Sequence, residues 1–324
     1  MKNKLNYLYY LYKRNNWMLD PRYLFKNFEE YKINKPIFLL GNQGGGLTLL
    51  SRMLRRNEHV INCTGNKAYW TGADELHAVY GPVLPFNLTG IKHKLPIHPI
   101  FKSHRSWSYA VDDSINIYRK TEKDFSDAEK RKLEHLIKYS MYRFGNKTSR
   151  FIDKSQVYTV RMSYINSLLK EYNPKFILLT RNPYAEIFRS AKGVGPYFEI
   201  SSREEKLKYA AEHWKNSVNA VLEDKNNNPK IDLLVIQFEE LLKEPEKILR
   251  QICDHVELDY NDDMLPKAEH TIPFGTRFNE RWYPLMPEIN KKYIGNISSK
   301  DIDIIKNICG DVAEKLGYSD TEMR

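Results

Sequence analysis

The sequence predicts an α/β protein, a single domain in which a central parallel sheet is flanked by helices. Three observations carry this. Lys35-Pro36-Ile37-Phe38-Leu39-Leu40-Gly41 and Lys175-Phe176-Ile177-Leu178-Leu179-Thr180 are short apolar runs, the mark of strands buried on both faces. Each leads at once into a helical signal: Leu47, Leu50, Met53 and Leu54 at helical spacing after the first, and Pro183, suited to a helix's first turn, after the second. The alternation of strand and helix then continues along the chain, as parallel strands joined by helical crossovers require.

Taken in order, residues 1–34 form a helical extension. Its first part, MKNKLNYLYYLYKRNNW, is basic and aromatic and reads as a docking helix, with a membrane-surface or homo-oligomer contact as the alternative. It lacks the apolar core and small-residue cleavage site of a signal peptide. The strand at 36–41 and its helix come next, then a short strand at 58–62. Residues 64–110, rich in Gly, Pro, His and aromatics, read as cleft-lining loops. Residues 112–142 read as exposed helices, and the whole of 64–149 as an inserted cap that lines the substrate. Arg150-Phe151-Ile152-Asp153 is a strand, and Val157 to Tyr172 a helix ended by Asn173-Pro174. After the strand at 175–180 come a helix from Pro183, a long helix near 203–224 and a strand at 232–236. A helix from Pro245 follows, and last a helix from about Ser299 to Leu316, stopped by Gly317.

Composition narrows the function. Lys and Arg number 51 against 41 Asp and Glu, a net charge of +10. The excess reads as spread along the chain, which favours an anionic small ligand over nucleic acid. Cys63, Cys253 and Cys309 are far apart with no CxxC pair, which suits a reducing, cytoplasmic setting and argues against a disulfide framework or a zinc site. No apolar run reaches the length of a membrane span. The histidines lack HxxxH or HExxH spacing, so no metal is expected.

The chemistry gathers at two strand ends. Gly41-Asn42-Gln43-Gly44-Gly45-Gly46-Leu47-Thr48-Leu49 is a strand–turn–helix whose backbone N–H groups and helix N-terminus make an anion site. GxxxxGK[ST] and GxGxxG are both absent, and no Lys or Arg lies between Gly41 and Ser51. The second strand ends in Arg181-Asn182-Pro183, with Arg189 and Ser190 in the following helix. Ligands of open α/β sheets lie beyond the carboxyl ends of the strands, so two anion sites there suit a nucleotide with phosphates at two positions.

This combination resembles the sulfotransferases that use 3′-phosphoadenosine-5′-phosphosulfate (PAPS), with a P-loop-like fold of bacterial type. Phe238-Glu239-Glu240-Leu241 through Pro245-Glu246, the stretch Gly275 to Trp282, and Leu316-Gly317-Tyr318 resemble later segments of the family in the same order. The likeness covers roughly 36–60 and 150–318. It implies that Gly44, Gly45, Gly46, Leu47, Thr48 and Leu49 hold the 5′-phosphosulfate, that Arg181 with Arg189 or Ser190 holds the 3′-phosphate, and that Arg277, Arg281 and Trp282 close over the nucleotide. PAPS is then the donor and the bisphosphate PAP the product.

The chain departs from the family in two places. The family's loop Lys or Arg is replaced by Gly44, a loss of the kind worth roughly 10²–10³-fold in rate, and Arg189 stands where the family places a serine, with Ser190 one step on. Lys154, 27 residues before Arg181, is the candidate for the missing cation, with Asp153 to orient it. For the base, Lys102-Ser103-His104 resembles the Lys-Thr-His stretch that supplies the base in cytosolic members of the family, and imidazole titrates near neutrality, so His104 is favoured over Glu75, His77, His93 and His98. Tyr69, Trp70, Tyr80, Trp107 and Tyr109 are candidate stacking surfaces for a small-molecule or glycan acceptor. Two alternatives stand beside a sulfotransferase: a non-catalytic PAP-binding scaffold, and a phosphoryl-transfer enzyme, which would need a loop lysine and a magnesium-binding hydroxyl that Gly46-Leu47 lacks.

Overall fold

Five short apolar runs become strands in the computed structural model, which describes residues 2–67, 73–89, 109–192, 200–271, 274, 282–293 and 295–321. They are β1 (Ile37–Leu40), β2 (Val60–Ile61), β3 (Arg150–Asp153), β4 (Lys175–Thr180) and β5 (Asp232–Gln237). Every pairing is parallel and the order is β2-β3-β1-β4-β5. Alternate residues divide between the two faces. Phe38, Leu40, Phe176 and Leu178 enter one apolar cluster, and Ile37, Leu39, Ile177 and Leu179 enter another. β1, β3 and β4 are buried throughout, while β5 is a half-exposed edge. A third cluster binds the helix Pro183–Ala191 to the long helix Arg203–Asn227 and the last helix, Ser299–Lys315.

Most elements begin and end where local chemistry places them. Asn182 caps the helix behind Pro183 by accepting from the Tyr184 amide at 3.0 Å. Ser298 and Asp301 form a reciprocal capping box for the last helix. Two segments differ from expectation. The single helix expected at 157–172 is broken: a 3₁₀ segment, Gln156–Arg161, precedes the α-helix Met162–Leu169. Tertiary bonds win here. Thr159 Oγ1 accepts from the Gly41 amide at 2.9 Å, and the Ser163 amide donates to Asp224 Oδ2 at 2.9 Å, so the helix restarts at Met162. The second concerns the cap. The helix Asp127–Phe144 was expected to be exposed, but Leu133, Leu136, Ile137 and Met141 are fully buried with Ile61 and Phe151. That half of the 64–149 insert belongs to the core. Tyr80 and Tyr109 are also fully buried, so neither offers the stacking surface expected of it.

The topology positions the site. β1 has β3 on one side and β4 on the other, so the chain leaving β1 sits where the strand order reverses, the usual place for a ligand in such sheets. From β3 to the β5 edge, the carboxyl ends carry Lys154, the glycine loop, Arg181 and Phe238.

Candidate active site

The glycine loop takes a shape that side chains resist. Gly44 and Gly46 have φ of +98° and +100°, in the region that glycine enters freely. A Cβ on Gly46 would meet the Phe238 ring at 2.3 Å, and one on Gly44 would meet Arg189 Nη1 at 2.2 Å. The Arg189 guanidinium therefore occupies the space above Gly44 that a loop side chain would fill. Its Nη1 is buried without a hydrogen-bond partner among the described residues. A buried, unpaired donor beside a loop that gathers amides is a place built for an anion.

Arg181 ties the loop to the rest. Its Nη1 donates to the Gly44 carbonyl at 2.9 Å, and its Nε and Nη2 both donate to Asn290 Oδ1, at 3.0 and 2.7 Å. Asn290 in turn donates to Glu239 Oε1 at 2.6 Å, which also accepts from the Asn182 amide at 3.0 Å. Phe238 lies under the Arg181 guanidinium at 5.2 Å, and Trp282 meets Phe238 edge-on at 6.5 Å. Leu47 and Leu49 are buried, so only their backbone can serve a ligand, whereas Thr48 is partly open. The amides of Leu47, Thr48 and Leu49 are in a helix's first turn, where N–H groups have no intrahelical partner.

One residue apart, Arg189 and Ser190 face different ways, as the helical turn of 100° requires. Arg189 lies over Gly44. Ser190 lines a cavity of about 20 Å³, room for one water, with Asn42, Gln43, Glu186 and His213. Burial pushes the Glu186 carboxyl up to about 8, against the pull of Arg181 and Arg189. Burial also pushes His213 down to about 3, so its imidazole is neutral.

A second cluster stands at the end of β3. Asp74 receives three cations: Arg55 at 2.7 Å, Lys154 at 3.0 Å and Arg52 at 3.1 Å. Burial opposes its charge, but the cations prevail and hold its carboxyl far below the usual carboxylate range. Lys154 also pairs with Glu75. Burial alone would lower the Lys154 ammonium, yet Asp74 and Glu75 hold it above its ordinary value. Glu75 itself is lowered: burial raises it, and Lys154 more than offsets that. Asp153, expected to orient Lys154, bonds the backbone instead. It accepts from the Leu76 amide at 2.8 Å and the Ser155 amide at 2.9 Å, and so fixes the start of the helix that follows Glu75. Burial raises its carboxyl to about 6.

The fold thus brings Gly44, Gly45, Gly46, Leu47, Thr48, Leu49, Arg181, Arg189 and Ser190 to the carboxyl ends of β1 and β4, and sets Glu75, Asp153 and Lys154 together at the end of β3. His104, Arg277 and Arg281 lie outside the described residues, as do Tyr69, Trp70, Trp107, His93 and His98. Sequence reasoning missed Asp74, Arg52, Arg55, Glu186, Glu239 and Asn290. The quoted Phe238-Glu239-Glu240 stretch held one signal, and Asp74 sits beside Glu75. Among the described residues no group of His, Cys, Asp and Glu is arranged to hold a metal.

The profile of the sulfotransferase family matches residues 36–262, well over half of the chain. Among solved structures, the sulfotransferase domain from the Synechococcus PCC 7002 olefin synthase is similar, with a TM-score of 0.51, 20% identity, and coverage of 91% of this chain and 99% of that one. Sulfotransferase STF9 from Mycobacterium avium gives 0.50 and 13%, covering 93% and 80%. At these identities the likeness establishes the fold. No curated protein matches the chain in sequence.

Proposed function

The chain belongs to the sulfotransferase family, and we propose that it moves a sulfuryl group from PAPS to a hydroxyl or amine of a small molecule or glycan. The observation that carries this is the buried Arg189 Nη1 above Gly44, without a hydrogen-bond partner among the described residues, where the family keeps its loop cation. When bound, the donor supplies the sulfuryl group and leaves as PAP. The loop amides and the Thr48 hydroxyl take its 5′ end. Arg181 takes the 3′-phosphate, while the cavity on which Ser190 opens has room for a water and not for a phosphate. Arg189 provides the positive charge that Gly44 cannot, stabilising the bridging oxygen as the bond to sulfur breaks. The acceptor oxygen or nitrogen bonds to sulfur, and its proton passes to a base. Glu75 is that base among the described residues: an ionised carboxylate, partly open, held by Lys154. His104 is its rival, and Glu75→Gln and His104→Ala separate the two.

The experiment is calorimetry with PAP. The wild type binds in the micromolar range, and Arg189→Ala weakens binding by about tenfold or more, about 1.4 kcal/mol. No binding to the wild type sinks the reading. One observation favours a second reading: Lys154 is engaged on both sides by Asp74 and Glu75, as a residue kept for structure would be. A non-catalytic PAP-binding scaffold predicts the same binding with no transfer to any acceptor.

A further inference from the structure

The densest exposed apolar surface lies in the N-terminal segment. Nine of the fourteen large hydrophobic side chains exposed among the described residues fall between residues 5 and 25. In the helix Lys2–Asn15, Leu5, Leu8, Tyr9 and Tyr12 repeat at intervals of three and four. That spacing draws one stripe along a helix, yet here the stripe faces outward. On a globular protein it would face the core. The surface continues past the helix: Leu19 is 83% exposed, Leu24 71% and Phe25 84%. The segment is nevertheless anchored. Trp17, Tyr23 and Phe28 are buried, and Arg143 Nη2 donates to the Lys13 carbonyl at 2.6 Å.

Charge selects the occupant. Residues 2–26 contain Lys2, Lys4, Lys13, Arg14, Arg22 and Lys26 against one acid, Asp20, a net +5. The excess is therefore less evenly spread than the whole-chain reading holds: these 25 residues carry half of the net +10. A second copy docking through a two-fold contact would set this basic segment against itself. An anionic lipid surface meets it with opposite charge, receives the leucines and Phe25 at the acyl boundary, and suits tyrosines at headgroup level. No described helix is long and apolar enough to cross a membrane, so the contact lies on the surface.

We infer that the face formed by the helix Lys2–Asn15 and the turn through Phe25 docks on anionic membrane surfaces. The test is flotation of the full chain with vesicles of phosphatidylcholine containing about one-third phosphatidylglycerol, against pure phosphatidylcholine. Binding is expected to the anionic vesicles alone and to weaken as salt rises. The double variant Leu19→Glu with Phe25→Glu should lower vesicle binding about tenfold or more while its urea midpoint stays unchanged, because both side chains are solvent-exposed. Three results would overturn the inference. One is no flotation with anionic vesicles, and another is equal flotation of the variant. The third is a dimer seen by sedimentation without lipid that the same variant dissolves, which makes a second copy the occupant.

Discussion

Arg189 and Glu186 lie one helical turn apart, and their chemistry is complementary. Arg189 presents to the loop a donor with no partner among the described residues, and Glu186 sits close by with its carboxyl raised to about 8. An ionised carboxylate there would repel a phosphate, and burial prevents it by keeping the proton on. The sign follows. The folded value lies above the ordinary 4.5, so the folded state holds a proton that the unfolded chain releases. The stabilisation is full below about pH 4.5 and lost as pH rises to about 8. Glu186→Gln should therefore flatten the fall in urea midpoint between about pH 4.5 and 8, the range set by those two values. A bound anion holds the same proton more firmly, so PAP affinity should also drop as pH passes about 8, and the glutamine variant should lose that dependence. Gly44→Ala tests the loop from the other side. A methyl group 2.2 Å from Arg189 Nη1, on a residue at φ +98°, costs of order 1–3 kcal/mol in strain. It should appear as weaker PAP binding by calorimetry.

At the level of elements, β3 and the glycine-loop helix Leu47–Leu54 are joined by buried charge. Arg52 belongs to that helix, Lys154 follows β3, and Asp74 between them neutralises both along with Arg55. Removing one member of such a network leaves uncompensated buried charge, at a cost of about 3–5 kcal/mol. Asp74→Asn leaves three cations facing a neutral amide and should lower the unfolding free energy measured in urea by about that much, more than Lys154→Met, which leaves Asp74 two cations. The opposite order would mean that Lys154, not Asp74, is the hub.

For the whole molecule, the site spans the ends of β3, β1, β4 and β5, so a ligand there links parts of the chain far apart in sequence. Binding to the folded state alone adds RT ln(1 + [L]/Kd), about 2.7 kcal/mol at a hundredfold excess over Kd. PAP at that excess should raise the thermal midpoint of the wild type, and at the same concentration should raise that of Arg189→Ala only about half as far, because a tenfold weaker Kd leaves about 1.4 kcal/mol. An equal shift in both would place the nucleotide away from the loop.

Much of this was legible locally. The apolar runs of β1 and β4, Pro183 behind Asn182 and the capping residues at Ser298 and Asp301 are decided by neighbours in the chain, so the sequence alone determined the parallel α/β sheet and its family. The glycine loop and Arg181 were readable for the same reason, since a strand end and the turn after it are consecutive residues. Three things were decided by tertiary structure. The helix Asp127–Phe144 joined the core because its apolar face met Ile61 and Phe151, which no periodicity reveals. Lys154 was drawn into ion pairs with Asp74 and Glu75, some 80 residues away, because a buried ammonium requires nearby negative charge. The guanidinium above Gly44 came from Arg189, in the helix that follows β4, because only the packing of that helix against Gly44 sets it where the loop has no side chain.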